Sequence, residues 1–272
     1  MAVTVTVAYP ADGVGLITFA DPPMNFGSGE LADKIMAAVG EVQQAGARVF
    51  VLASDTPGYF IAHWSLQFIV DRQSAIAANG HAVPPPAPRI FEAISQTPMI
   101  SIAANNGQAW GGGAELSWAC DLRIAAASAT YGQPEVGLGI IPGAGGTTRL
   151  ARLIGPTKCL EMIVDGRPIS ALEAQQLGAV NKVVPDGELR QAAIDWAAHI
   201  AQWPAWSLES CKRSFYEGQD LPLGAAGRNE SQIFAGVARR EDSIALMTAV
   251  QARYDAGQDS YDAIGLPRPE QT

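Results

Sequence analysis

Two carboxylates placed beside glycine-rich turns are the residues whose types and spacing first suggest chemistry. Glu115 ends the run Asn106-Gly107-Gln108-Ala109-Trp110-Gly111-Gly112-Gly113-Ala114-Glu115, which follows an apolar stretch and precedes a helical one. Three glycines there let a ligand approach the backbone and leave the first N–H groups of a helix free. Such N–H groups suit a phosphate or an oxyanion. The same run also reads as an ordinary tight turn from strand to helix. Glu135 ends Tyr131-Gly132-Gln133-Pro134-Glu135. Proline fits the first position of a helix, and a glutamate in the first turn complements the helix dipole, so Glu135 alone also reads as a helix-start carboxylate. A third glycine-rich loop, residues 142–148, leads into a helix as a structural turn or a pocket wall.

Other chemistries find less support. No GxxxxGK[ST] phosphate loop and no GxSxG nucleophile elbow occurs. His199 falls in a helical pattern and reads as packing, and His81 lies in a polar stretch. Cys120, Cys159 and Cys211 are far apart, without CxxC or histidines at metal-ligand spacing, so no metal site is expected. Unpaired thiols fit a reducing compartment. Eighteen basic residues face 27 acidic ones for a net charge of -9, and this lacks the basic field that nucleic-acid binding requires. The N-terminus carries no signal-peptide pattern and no apolar run is long enough to span a membrane, so the expected location is cytoplasmic.

The elements that must position these residues follow from periodicity. Residues 3–7 alternate as a half-buried strand, 10–13 form a turn, and 14–19 form a second strand, together an opening hairpin. Residues 28–45 carry Leu31, Ile35, Val39 and Val42 at helical spacing, with Ser28 as N-cap and Gly46 as stop. Residues 49–53, 99–104 and 122–127 are short all-apolar strands, as expected when helices cover both faces of a sheet. The proline run at 83–88 excludes helix and central strand, and with the polar stretch 71–80 it reads as an exposed loop. Helical patterns dominate at 186–202, 207–217 and 229–256, following a strand at 180–184. Residues 1–200 therefore read as an α/β core and 201–272 as a helical region.

In order along the chain, these segments resemble the crotonase (enoyl-CoA hydratase/isomerase) family. The most specific stretch is 102–153, with Asn106-Gly107, Gly111-Gly112-Gly113-Ala114-Glu115-Leu116, Cys120-Asp121, Gly132-Gln133-Pro134-Glu135, Gly139 and Pro142-Gly143-Ala144-Gly145-Gly146. The resemblance implies an α/β fold, a spiral of ββα units with a C-terminal helical trimerisation region. It also implies a homotrimer or dimer of trimers. The implied substrate is an acyl-CoA thioester, with coenzyme A part of the substrate and no further cofactor. Glu115 and Glu135 are implied as the catalytic pair, and the backbone N–H groups of Trp64 and Gly112 as the oxyanion hole.

Trp64 lies in Tyr59-Phe60-Ile61-Ala62-His63-Trp64-Ser65-Leu66, which looks like the family's Phe-Ser-Ala-Gly-Ala-Asp-Leu segment. Ala62, Trp64, Ser65, Leu66, Gln67 and Gly112 are the implied substrate-binding residues. Three departures stand out: His63 for a glycine, Trp64 for a small residue and Ser65 for an aspartate. Gln67 replaces a basic residue, which leaves Arg72 or a neighbouring subunit to hold the coenzyme phosphates. The implied reaction is hydration of an enoyl-CoA, with double-bond isomerisation or non-catalytic binding of a coenzyme A ester as alternatives.

Overall fold

A computed structural model describes residues 3–79 and 86–268 of the chain. The chain divides into two compact units, Met1–Ala205 and Trp206–Thr272.

The first unit opens with the hairpin β1 (Thr4–Ala11) and β2 (Val14–Ala20), then α1 (Gly29–Gln44) and β3 (Val49–Ser54). Next come β4 (Gly58–Ile61), α2 (Leu66–Asn79), α3 (Pro86–Gln96), β5 (Ile100–Asn105), β6 (Gly107–Trp110), α4 (Gly112–Ala119), β7 (Leu122–Ala126) and β8 (Thr130–Gly132). A 3-10 turn at Glu135–Leu138 precedes α5 (Arg149–Ile154), α6 (Pro156–Asp165), β9 (Ile169–Ser170), α7 (Ala171–Gln176), β10 (Lys182–Val184) and α8 (Leu189–Ala201). The second unit consists of α9 (Ala205–Gly218), whose first residue closes unit one, α10 (Leu223–Ala238), α11 (Glu241–Asp255) and α12 (Ser260–Ile264).

The repeat is legible in the strand pairing. β3, β5 and β7 are parallel neighbours in a six-stranded sheet of order β1-β2-β3-β5-β7-β10. Their successors β4, β6 and β8 are parallel neighbours in a four-stranded sheet of order β4-β6-β8-β9. Each turn of chain thus lays one strand in each sheet and then a helical segment, which is the expected spiral of ββα units. Every residue of β3 is buried, as the apolar run Val49–Ala53 requires of a central strand. On α1, Leu31, Ile35, Val39 and Val42 form the buried stripe, and Ser28 Oγ accepts from Leu31 N at 3.1 Å as N-cap. Burying each such aliphatic side chain contributes about 1.5–3 kcal/mol.

Three expectations are corrected. Most of the polar stretch 71–80 is helix: α2 runs to Asn79, with Gln67 Nε2 donating to Asp71 Oδ1 one turn on. Pro86 begins α3, because a helix's first position needs no N–H from its residue. His81 and residues 80–85 lie outside the described residues. The pattern at 229–256 is two helices, since Arg240 adopts extended backbone (φ -65°, ψ 139°) and caps α11 after α10 has ended. Among the described residues no helix is long and apolar enough to cross a membrane.

Candidate active site

The glycine-rich run is more than a turn. It contains β6, an inner strand of the smaller sheet, and that placement organises the site. β4, β6 and β8 run parallel, so the segments leaving their C-terminal ends emerge side by side, about 5 Å apart. Residues 62–65 follow β4, Gly111 and Gly112 follow β6, and residues 133–135 follow β8. Crevices beyond the carboxyl ends of parallel strands are where α/β sheets bind ligands. Backbone bonds stitch the three segments together: Trp110 N donates to Ala62 O at 3.2 Å and Gly111 N to Gly132 O at 2.9 Å.

Close packing then brings two amides together. Gly27 and Trp64 form a parallel bridge, in which Gly27 N donates to His63 O at 2.9 Å and Ser65 N to Gly27 O at 2.9 Å. The bridge uses the groups flanking Trp64, so the Trp64 N–H points away from Gly27. Gly112 begins α4, where an N–H has no partner inside the helix. Neither N–H finds an acceptor among the described residues. A Cβ on Gly112 would lie 3.4 Å from Trp64 Cβ, and one on Gly113 would lie 2.1 Å from Ile61 O. Only glycines allow the start of α4 to approach the end of β4 this closely. Gly111, at φ 50°, supplies the left-handed residue that reverses the chain into the helix.

The carboxylates occupy the same region. Glu115, on the first turn of α4, is 3% exposed. Its Oε1 accepts from Ala144 N at 2.7 Å and Gly146 N at 2.8 Å. Burial raises its pKa above the ordinary carboxylate value, while the Gly146 and Ala144 amides and the Arg149 charge pull it back. Glu135 is 8% exposed at the start of the 3-10 turn, and a Cβ on Gly111 would lie 2.9 Å from its Oε1. Burial pushes the Glu135 carboxyl up to about 7, its own backbone amide opposes the rise, and the Glu115 charge adds to it. Gln133 is fully buried beside it, and with its amide nitrogen turned to the carboxylate it donates to Oε2 at 2.9 Å and Oε1 at 3.0 Å. In the opposite orientation the amide oxygen accepts from a protonated Glu135, so Gln133 can serve either charge state.

Both carboxylates line a cavity of about 840 Å³. Of the residues expected to bind substrate, Trp64, Leu66 and Gly112 line it. Ala62 is fully buried, and its carbonyl accepts from Trp110 N and Gln108 Nε2. Ser65 Oγ accepts from Phe68 N at the start of α2. Gln67, tied to Asp71, is on the outer face of α2, whereas Leu66, Ile69, Arg72 and Gln73 line the cavity. Trp64 is 7% exposed, with its ring against Gly27, Gly112 and the Phe91 ring at 5.8 Å. Its indole N–H finds no acceptor among the described residues. His63 also lines the cavity, and its Nδ1 lies 2.8 Å from Trp64 O. Among the described residues no group of three or more histidine, cysteine, aspartate or glutamate side chains could hold a metal.

Several lining residues had no signal in the sequence: Phe68 and Ile69 on α2, Phe91 on α3, Trp110 on β6, and Ile140 and Ile141 beyond the 3-10 turn. Gln133 did have one, a buried-type amide two residues before a carboxylate in an otherwise apolar setting.

The enoyl-CoA hydratase/isomerase family model matches residues 10–253. The 2,3-dehydroadipyl-CoA hydratase of Escherichia coli (strain K12) is 31% identical over 76% of this chain and 81% of its own length. The probable mitochondrial enoyl-CoA hydratase 2 of Arabidopsis thaliana is 35% identical over 74% of this chain and 66% of its own length. The matches span 27% to 66% of the first three curated relatives, so this chain covers less than two thirds of their lengths. The crystal structure of an enoyl-CoA hydratase from Bacillus anthracis superimposes with a TM-score of 0.83 at 33% identity, covering 92% of this chain and 96% of that one. A spiral of ββα units, a family match through almost the whole first unit and beyond, and relatives of this kind lead to one conclusion: the chain belongs to the enoyl-CoA hydratase/isomerase family.

Proposed function

We propose that the chain is an enoyl-CoA hydratase, adding water across the α,β double bond of an enoyl-CoA thioester. The observation that carries this reading is the convergence on one apolar cavity of two buried carboxyl groups and two backbone N–H groups that find no acceptor among the described residues. The thioester oxygen sits between the Trp64 and Gly112 N–H groups, where negative charge grows as water attacks Cβ. Each such donor, fixed in advance and shielded from water, contributes roughly 3 kcal/mol to stabilising the enolate. Glu115 is the ionised member, since two amides already stabilise its charge; it positions the water and takes its proton. Glu135, held near 7, carries the proton that goes to Cα. Both carboxyls act on one face, so the addition is syn. This chemistry needs no metal and no redox cofactor.

Trp64, Leu66 and Gly112 contact the acyl-thioester portion in this reading, while Ala62, Ser65 and Gln67 act through the backbone and helix that carry them. The favoured assembly is a homotrimer or a dimer of trimers, for which Phe234, Ile244, Leu246 and Met247 on α10 and α11 offer exposed apolar surface. The test is loss of enoyl absorbance on mixing the protein with enoyl-CoAs of several chain lengths. Turnover is expected on at least one of them, falling about 10²-fold or more in Glu115→Gln and in Glu135→Gln. No turnover on any length, or near wild-type turnover in either variant, overturns the assignment.

A further inference from the structure

Hydration needs the two carboxyls in different protonation states, yet burial pushes both the same way. We propose that Arg149 is the positioning residue that keeps Glu115 ionised, by pinning the loop whose amides grip that carboxylate. The inference rests on the hydratase reading for its consequence on turnover, though not for the geometry.

Arg149 begins α5, directly after the glycine-rich loop, and its side chain folds back over that loop. Nη1 donates to Ala144 O at 2.9 Å, and Nη2 reaches Ser95 Oγ at 3.4 Å. Ser95 Oγ in turn donates to Phe91 O at 2.9 Å and lies 3.2 Å from Ala119 O at the end of α4, so the guanidinium ties the loop to α3 and to the glutamate's own helix. The Ala144–Gly145 peptide is planar, with its oxygen and N–H on opposite sides. Holding the oxygen on Arg149 therefore turns the Gly145 N–H away from Arg149. The Gly145 amide adds a smaller stabilisation of the Glu115 charge to those of the Ala144 and Gly146 amides. Gly145 has φ 136°, a backbone that glycine adopts readily and a side chain would resist, so the loop takes this path only with glycine here. Arg149 N also donates to Gly145 O at 2.7 Å, closing the loop on itself.

The other charged groups near α4 do not take this role. Arg123 of β7 is turned to the Ala179 and Cys120 carbonyls, toward the C-terminal end of α4. Arg89 and Glu92 of α3 are exposed. Glu135 also lines the cavity, and as an acid it offers Glu115 no opposite charge. Arg149 is the cation whose charge acts on Glu115 and, through the loop, orients the amides that do the same.

The experiment is a carbon-13 NMR titration of the full chain with δ-carboxyl-labelled glutamate, the Glu115 resonance being assigned by its loss in Glu115→Gln. In Arg149→Gln the Glu115 midpoint is expected to rise by about one pH unit or more, the usual effect of removing a neighbouring opposite charge. Arg149→Lys keeps the charge and offers one ammonium in place of the guanidinium fork, so it is expected to give a smaller rise. The acidic limb of the kcat/KM profile is expected to move in the same direction in both variants. A Glu115 midpoint identical in wild type and Arg149→Gln overturns the proposal. Should Arg149→Gln not fold, a midpoint unchanged in Arg149→Lys overturns it equally. The titration is read without substrate, so a protein that hydrates no enoyl-CoA refutes the hydratase reading and leaves this result to stand or fall by itself.

Discussion

Replacing Glu135 by glutamine should cut turnover about 10²-fold or more and yet stabilise the protein at alkaline pH. The Glu135 carboxyl titrates at about 7 in the folded chain, against 4.5 in the absence of the fold. Between those values the folded state binds more protons than the unfolded state, so stability falls as pH rises through the window. The interval is about two and a half pH units, and each unit is worth 1.36 kcal/mol, so the loss comes to between about 3 and 4 kcal/mol well above pH 7. That figure is the upper end, because a Gln133 amide donating to the carboxylate stabilises the charged form. Glutamine has nearly the same shape and no proton to lose, so Glu135→Gln removes the loss. The assay is urea unfolding of wild type and variant at pH 5 and pH 8.5. At pH 5 the two should unfold at similar denaturant concentrations, and at pH 8.5 the variant should be more stable by about 1–3 kcal/mol. A stability difference that is the same at both pH values means that Glu135 is an ordinary carboxylate, and the acid role assigned to it fails.

Glu115 should respond oppositely to two substitutions at the same atom. Glu115→Gln keeps an oxygen for the Ala144 and Gly146 N–H groups and should change stability little, whereas Glu115→Ala leaves both amides unpaired and should destabilise by about 2–6 kcal/mol in urea unfolding. Trp64→Ala should alter relative kcat/KM across acyl chain lengths, because the indole forms cavity wall and a pocket methylene is worth roughly 1–3 kcal/mol; an unchanged profile with only lowered stability would leave Trp64 as packing. Light scattering at micromolar concentration should report a trimer or hexamer, and a species of 28.5 kDa alone refutes the assembly.

The larger sheet was legible because its edge strand β1 alternates, its inner strands are short and mostly apolar, and α1 carries its own cap, periodicity and stop. The smaller sheet was not. β4, β6, β8 and β9 are two to four residues long, rich in glycine and polar residues, and their pairing partners lie 22 or more positions away. Nothing local specifies such strands; the backbone bonds that pair them do. The helical state of residues 71–79 was hidden for a related reason. The side of α2 that turns to the cavity mixes Leu66 and Ile69 with Arg72 and Gln73, and it meets a cavity rather than a packed core, so the usual stripe is weak.

By itself the sequence determined the parts of the site: two glutamates, the glycines beside them, and a tryptophan where the family carries a small residue. Those are matters of side-chain chemistry and of where a backbone can tolerate no Cβ, and both are written residue by residue. The tertiary structure alone decided that the parts meet. Glu115 and Glu135 are twenty positions apart, Trp64 is far from both, and it is the parallel pairing of β4, β6 and β8 that sets their three segments side by side. It also decided how each carboxyl titrates, since burial and the amides of the loop after Pro142 set that balance, and no spacing in the chain encodes a dielectric or the direction of an N–H bond.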